Sequence, residues 1–312
     1  MNGLRIFSGN AHPGLTRKIV DYLGVPLGEV SIERFPDGEV FVKIMENIRG
    51  SDVYIVQPTC YPPNENLMEL LIMIDAMRRA SAARITAVIP YYGYSRQDRK
   101  DQPRVPITAK LVADLIEAAG ATRALTLDLH AQQIQGFFNI PVDHLYGSPV
   151  IVKHLKSMGL PNPVVVAPDA GGLKMAYAYS QMLGTGLAFV GKQRRGPSEV
   201  EAVSLVGEVE GHQAILVDDM TTTAGTLTEA ARMVAENGAT EVYAAVTHGI
   251  LTPQGLERIK ASPIKELVVT DSVPHQDDEL VGVTELSVSE LLGEAIMRVH
   301  RNESVTSLFD IG

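Results

Sequence analysis

The feature that most constrains this chain is the alternation of short β-rich runs with helical patterns along its whole length. In the first half, strands are expected at 4–8, 29–34, 39–44, 53–57, 84–90 (RITAVIP) and 123–128 (RALTLDL), and helices at 13–23, 65–82 and 107–119. Within 65–82, Leu67, Leu70, Leu71, Ile74 and Met77 recur at the helical period. The second half repeats the grammar: strand 163–168 (PVVVAP), helix 171–183, strand 187–191, a hairpin-like stretch near 200–210, strand 214–217 (AILV), helix 225–237, strands 242–247 and 266–270, and a final helix at 287–301. Strands separated by helices imply right-handed crossovers and largely parallel sheets, so the expected class is α/β. A chain of 312 residues is long for one core. Two similar domains, 1–147 and 148–312, are therefore expected, with the boundary in LYGSP near 145–149 and the last helix packing back on the first domain.

Composition removes several classes of function. Charge sums to 27 − 37 = −10, a poor balance for non-specific binding to nucleic acid or anionic membrane. Tryptophan is absent and aromatics are 5%, which disfavours base stacking along a single strand. Cys60 is the only cysteine, so neither an intrachain disulfide nor a cysteine-built zinc site is possible. No apolar run approaches the ~20 residues of a membrane span, and MNGLRIFSGN does not read as a secretory signal, so a cytoplasmic protein is expected.

In open parallel sheets, ligands bind beyond the carboxyl ends of the strands, so the residues there are the ones to read for chemistry. Strand 214–217 runs into Asp218-Asp219, then Met220, then Thr221 to Thr226 with Ala224 and Gly225 inside the run, then a helix. Small residues let backbone approach a ligand, and a helix start offers N–H groups to a phosphate. Thr223 and Thr226 add hydroxyls, while Asp218 and Asp219 can accept from sugar hydroxyls or hold a metal. The plainer reading is a threonine-rich helix cap.

Five other segments carry chemistry-bearing residues. FPDGE (Phe35–Glu39) is by itself a turn that any hairpin could use, and RQDRK (Arg96–Lys100) by itself a solvated charge run. An Arg-Gln pair there could instead grip a polyphosphate. DLHA places His130 after strand 123–128, as a capping residue or a metal ligand. PDAGG offers Asp169 with Ala170, Gly171 and Gly172 at a helix start, which suits Mg²⁺ with diphosphate. KQRRG puts three cations on a loop of an acidic protein, where they could neutralise charge building up in phosphoryl transfer. No GxxxxGK[ST] loop is present, which disfavours a plain P-loop kinase.

In this order, and with connecting text such as DLHAQQIQGFFNIPVDHLYG and RQDRKDQPRVPITAKLVA, the segments resemble those of the ribose-phosphate pyrophosphokinases of the bacterial and animal type. The resemblance runs from FSGN to SVTSLF. It implies two tandem phosphoribosyltransferase-like domains, each a largely parallel sheet flanked by helices. It also implies Mg²⁺-dependent transfer of the pyrophosphoryl group of ATP to ribose 5-phosphate, and a homohexamer. By resemblance, Asp37, Gly38, Glu39, Arg96 and Gln97 bind ATP, the first three across a subunit contact, while His130 and Asp169 hold Mg²⁺. Asp169 to Gly172 form a diphosphate loop, and Lys192 and Arg194 are catalytic. Arg194, Asp218, Asp219 and Thr222 to Thr226 bind ribose 5-phosphate, and Gln135, Asp143, Ser304 and Phe309 match an allosteric site for ADP or phosphate. One residue departs from the pattern: Thr222 stands where the family usually has Asp, which implies a weaker acceptor for ribose hydroxyls. A phosphoribosyltransferase that consumes the product, or a non-catalytic regulatory homologue, would share the loop at 214–226. The first would not need FPDGE with RQDRK, and the second is expected to have a broken metal or cation loop.

Overall fold

The computed structural model describes residues 3–193, 202–275 and 282–308. The chain divides into two compact units, one built from Met1–Tyr146, Ser272–Pro274 and Ser287–Asp310, the other from Gly147–Asp271 and His275–Leu286.

The first unit holds a five-stranded, fully parallel sheet in the order β1-β4-β5-β6-β7: β1 (Leu4–Ser8), β4 (Asp52–Val56), β5 (Arg84–Ile89), β6 (Arg123–Leu127) and β7 (Val142–Leu145). A separate antiparallel pair, β2 (Val30–Arg34) and β3 (Val40–Ile44), forms a hairpin. The helices α2 (Pro63–Arg79) and α3 (Thr108–Ala119) share one core cluster with Phe7, Val53, Ile55, Ile85 and Ala87. In α2 the buried stripe is Leu67, Leu70, Met73, Ile74 and Met77. Met73 takes the place expected for Leu71, which is only half-buried. At about 1.5–3 kcal/mol per fully buried apolar side chain, this stripe outweighs the cost of burying Asn66 and Glu69 on the same helix. The helix α1 (Pro13–Leu23) ends on Gly24, whose φ of 63° suits a residue without Cβ, and packs against α8 (Ser289–His300). The contact is close: a Cβ on Gly293 would lie 2.6 Å from the Tyr22 ring. Asp52 fastens the end of α8, receiving Arg84 Nε at 3.0 Å and meeting His300 Nδ1 at 2.7 Å, while Arg84 Nη1 donates to Asn302.

The second unit holds a seven-stranded sheet in the order β10-β9-β8-β11-β12-β13-β14. Its strands are β8 (Pro163–Ala167), β9 (Gly186–Gln193), β10 (Ala202–Val206), β11 (Gln213–Thr221), β12 (Glu241–Gly249), β13 (Ile264–Thr270) and β14 (Val283–Leu286). All pairings are parallel except β9 with β10. Alternate residues of β8 and β11 serve opposite faces. Val165, Ala167, Ile215 and Val217 pack with α4 (Ser148–Ser157) and α5 (Leu173–Leu183). Val164, Val166, Ala214 and Leu216 pack with α6 (Gly225–Glu236) and α7 (Pro253–Lys260).

Several elements differ from the sequence reading. The strand expected at 214–217 continues to Thr221, because β12 is long enough to pair with it as far as Thr221–Gly249. Asp218 and Asp219 are therefore strand residues rather than the start of a loop. Likewise β9 continues to Gln193, so Lys192 lies on a strand opposite Val203 of β10. In LYGSP, Leu145 ends β7 and Ser148 begins α4.

Candidate active site

The order of the seven-stranded sheet reverses between β8 and β11. From β8 the chain moves outward through β9 and β10, and from β11 it moves the other way through β12 to β14. The helices α5 and α6 leave these two strands on opposite faces of the sheet. A crevice at such a switch point, beyond the carboxyl ends of the strands, is where open α/β sheets bind ligands. Here it is bordered by PDAGG after β8 and by TTTAGT at the end of β11.

After β11 the backbone turns sharply. Ala224 is left-handed, with φ 54° and ψ 16°, and is immediately followed by the first helical residue of α6, Gly225. A left-handed residue next to a right-handed one makes successive N–H groups converge into an anion-binding nest, continued by the unbonded N–H groups of the first helical turn. Asp219, 8% exposed, and the partly buried Asp218 precede this turn, and the N–H of Asp219 donates to Asp218 Oδ1 at 2.9 Å. Burial pushes the Asp218 carboxyl up from 3.8 to about 8, with the Asp219 charge second and the Asp169 charge adding to it. The edge of the sheet thus carries carboxylates that repel one another, beside a nest that attracts an anion. Sugar hydroxyls or a cation on the acids, and phosphate in the nest, would satisfy both.

On the β8 side the structure corrects the expectation of free N–H groups. Asp169 Oδ1 accepts from Gly171 N at 2.8 Å and Gly172 N at 3.1 Å, and α5 begins at Leu173. A diphosphate at these amides has to displace the Asp169 oxygen. Ala170 and Gly171 are exposed. Among the described residues, no group of three or more His, Cys, Asp or Glu side chains could hold a metal ion alone. Mg²⁺ commonly binds through one or two carboxylates with the remaining ligands from substrate and water, which the acids of this edge fit.

The first unit has its own reversal, because Leu27 bridges to Ile6 on one side of β1 while β4 pairs on the other. There the amides are already taken. Asn10 N and Nδ2 donate to the two Glu69 oxygens at 2.7 and 2.9 Å, Gln57 Nε2 donates to Glu69 Oε1 at 2.9 Å, and Ala11 N donates to Gln57 Oε1 at 3.0 Å. Glu69, 2% exposed, is an internal carboxylate in the position an anionic ligand would take. The sequence reading missed it because a glutamate at that place in α2 looks like any solvent-facing helix residue.

The remaining expected residues fall on different elements. Asp37, Gly38 and Glu39 form the exposed tip of the β2–β3 hairpin, with Gly38 at φ 95° and its carbonyl accepting from Arg34. Arg96 and Gln97 lie beyond β5, and Gln97 O accepts the N–H of Ala109 in α3. His130 is exposed after β6. Of the residues matched to an allosteric site, Asp143 is tied to Arg123 at 2.6 Å, Gln135 Nε2 donates to Gln132 O, and the Ser304 hydroxyl meets Thr306. Arg194 and Phe309 lie outside the described residues.

Comparison with known proteins gives this geometry a family. Residues 4–120 match the model of the N-terminal domain of ribose phosphate pyrophosphokinase, and residues 193–310 that of the phosphoribosyl synthetase-associated domain. The ribose-phosphate pyrophosphokinase of Wolinella succinogenes is 52% identical over 309 residues, covering 99% of this chain and 100% of that one. This chain belongs to the ribose-phosphate pyrophosphokinases. A second member, from Caldanaerobacter subterraneus, is 51% identical over 310 residues, covering 99% of this chain and 98% of the relative. The crystal structure of phosphoribosylpyrophosphate synthetase from Mycobacterium smegmatis superposes with a TM-score of 0.91 at 39% identity, over 96% of this chain and all of that one. As a pyrophosphokinase the chain is a transferase of nucleotide biosynthesis, and the α/β class read from its sequence stands. No helix among the described residues is long and apolar enough to cross a membrane.

The sequence reading passed over α7, whose signal was present: Thr252-Pro253 is a cap followed by a first-turn proline, with Leu256 and Ile259 on one face. This helix touches the loop after β11, as set out below.

Proposed function

We propose that this pyrophosphokinase transfers the pyrophosphoryl group of Mg-ATP to the C1 hydroxyl of ribose 5-phosphate, giving 5-phosphoribosyl 1-pyrophosphate and AMP. The observation that carries this reading is the switch point of the second unit, where a backbone nest and two acids lie at the end of β11 beside the Asp169 loop of β8. The C1 oxygen attacks the β-phosphorus, the bond from that phosphorus to the α–β bridging oxygen breaks, and the C1 proton leaves to solvent. The N–H groups of the nest with Thr223 and Thr226 hold the 5-phosphate, and Asp218 and Asp219 accept from the ribose hydroxyls. His130 and Asp169 are the residues that would each serve as a ligand to Mg²⁺, which when bound would supply charge neutralisation on the transferred group. Lys192 and Arg194 stabilise charge on the equatorial oxygens, so Lys192→Ala is expected to lower turnover by at least about tenfold. Asp37, Gly38, Glu39, Arg96 and Gln97 take ATP, with the hairpin tip acting across a subunit contact in a homohexamer. The same reading puts the protein in the cytoplasm, with phosphate activation and ADP inhibition at a site including Gln135, Asp143, Ser304 and Phe309.

Incubation with Mg²⁺, ATP and ribose 5-phosphate tests this directly. Sugar-dependent AMP is the expected product. ADP would mean ordinary kinase chemistry, and unchanged nucleotides would point to a phosphoribosyltransferase or a non-catalytic regulatory homologue.

A further inference from the structure

The loop after β11 is held from behind by α7. Thr252, which caps α7 by accepting from Gly255 N at 3.1 Å, sends both its hydroxyl and its N–H to the carbonyl of Thr222, each at 3.2 Å. Further along α7, Arg258 Nη1 donates to the carbonyl of Thr223 at 3.0 Å. Gly255 lets the helix come this close, since a Cβ there would lie 2.4 Å from Thr222 O. Two successive carbonyls of the loop are thus fixed on α7. In a trans peptide the C=O and N–H point in opposite directions, so the N–H groups of Thr223 and Ala224 are turned away from α7. Ala224 needs such support. A left-handed conformation is costly for a residue with a Cβ and persists where the surroundings fix it.

We propose that Arg258 and Thr252 are positioning residues for the ribose-phosphate loop, holding the carbonyls of Thr222 and Thr223 so that the N–H groups of the nest face the 5-phosphate. The proposal rests on the reading that this loop binds ribose 5-phosphate. It assigns Arg258 to backbone, in contrast to the guanidinium–phosphate contact that an arginine beside a phosphate loop ordinarily suggests. It also makes the affinity for one substrate depend on a helix outside the loops that face it.

The test compares Arg258→Met, Arg258→Lys, Thr252→Val and Thr226→Val, measuring KM for ribose 5-phosphate, KM for ATP, kcat and melting temperature in the full-length enzyme. Arg258→Met and Thr252→Val are both expected to raise KM for ribose 5-phosphate, by about tenfold and about threefold. KM for ATP is expected to stay within about twofold, and Arg258→Lys, which keeps one donor, to recover part of the loss. Thr226→Val reports on the loop itself. If it raises KM for the sugar while Arg258→Met and Thr252→Val leave it unchanged, the loop binds the sugar but α7 does not position it. If Thr226→Val also has no effect, the ribose-phosphate reading fails and the proposal with it. Full recovery in Arg258→Lys with no effect of Thr252→Val would make Arg258 a direct ligand and overturn the positioning role. Parallel losses in both KM values and in melting temperature would assign α7 a merely structural part.

Discussion

Replacing Asp218 by Asn should stabilise the ligand-free enzyme, and more so as pH rises. Burial, with the Asp219 charge second, pushes the Asp218 carboxyl of the folded protein up from 3.8 to about 8. Below pH ~4 both folded and unfolded chains carry the proton, and the carboxyl imposes no penalty. Between about 4 and 8 the unfolded chain ionises while the folded one keeps its proton, so stability falls as pH rises and levels off above about 8. A carboxyl raised from 3.8 to about 8 sets a ceiling of ~6 kcal/mol, and water reaching the partly buried group brings the expected effect to about 1–3 kcal/mol. For a unit of this size that is a shift of about 2–10 °C in melting temperature. Asn keeps the shape and cannot ionise. The assay is thermal unfolding of both proteins with EDTA and without substrate, at pH 5 and at pH 8.5. The variant should melt higher, with the gap wider at pH 8.5. An equal gap at the two pH values, or a variant less stable at pH 8.5, would refute the argument that the acids of β11 are held against their own repulsion.

Four further outcomes follow from other contacts. Glu69→Ala strands the N–H donors of Asn10 and Gln57 and should cost about 2–4 kcal/mol, with part of the lost melting temperature restored by added acetate; no restoration would mean the vacated place is not an anion seat. Asp52→Asn should destabilise by about 2–4 kcal/mol, because Arg84 and His300 lose a nearly buried partner, and hydrogen exchange in α8 should rise; unchanged protection there would rule out Asp52 as its anchor. Gly255→Ala forces a Cβ against Thr222 O and should raise KM for ribose 5-phosphate about tenfold, read against KM for ATP. Thr222→Asp should lower KM for ribose 5-phosphate by about threefold or more by supplying a charged acceptor, and no change would remove the significance given to this departure.

The parallel sheets and most helices were legible because their signals are local. Apolar runs such as PVVVAP and the stripe of α2 report burial residue by residue, and loops with Pro, Gly and Thr mark where strands stop. What was illegible depends on partners distant in sequence. The strand character of Asp218 and Asp219 is decided by the length of β12, which AILVDD cannot reveal. The buried state of Glu69 depends on the loop after β1, 59 residues earlier. The bond from Asp169 to its own glycines is local, yet a carboxylate before two glycines serves equally as a free ligand or an occupied turn. Motif reading therefore points to the ends of β8 and β11 but not to which of the donors there are already engaged.

The pairing of α1 with α8 bears on how the molecule comes to exist in a cell. A nascent chain presents α1 long before its covering helix α8 emerges. Until then the face of α1 around Tyr22 has to wait uncovered, and Asp52 and Arg84 lack the partners that α8 brings. The second unit, drawn from one nearly continuous stretch, can close on itself as it emerges. The unit that begins to emerge earlier is therefore completed later, and a chain halted before Ser289 lacks the helix that packs on α1.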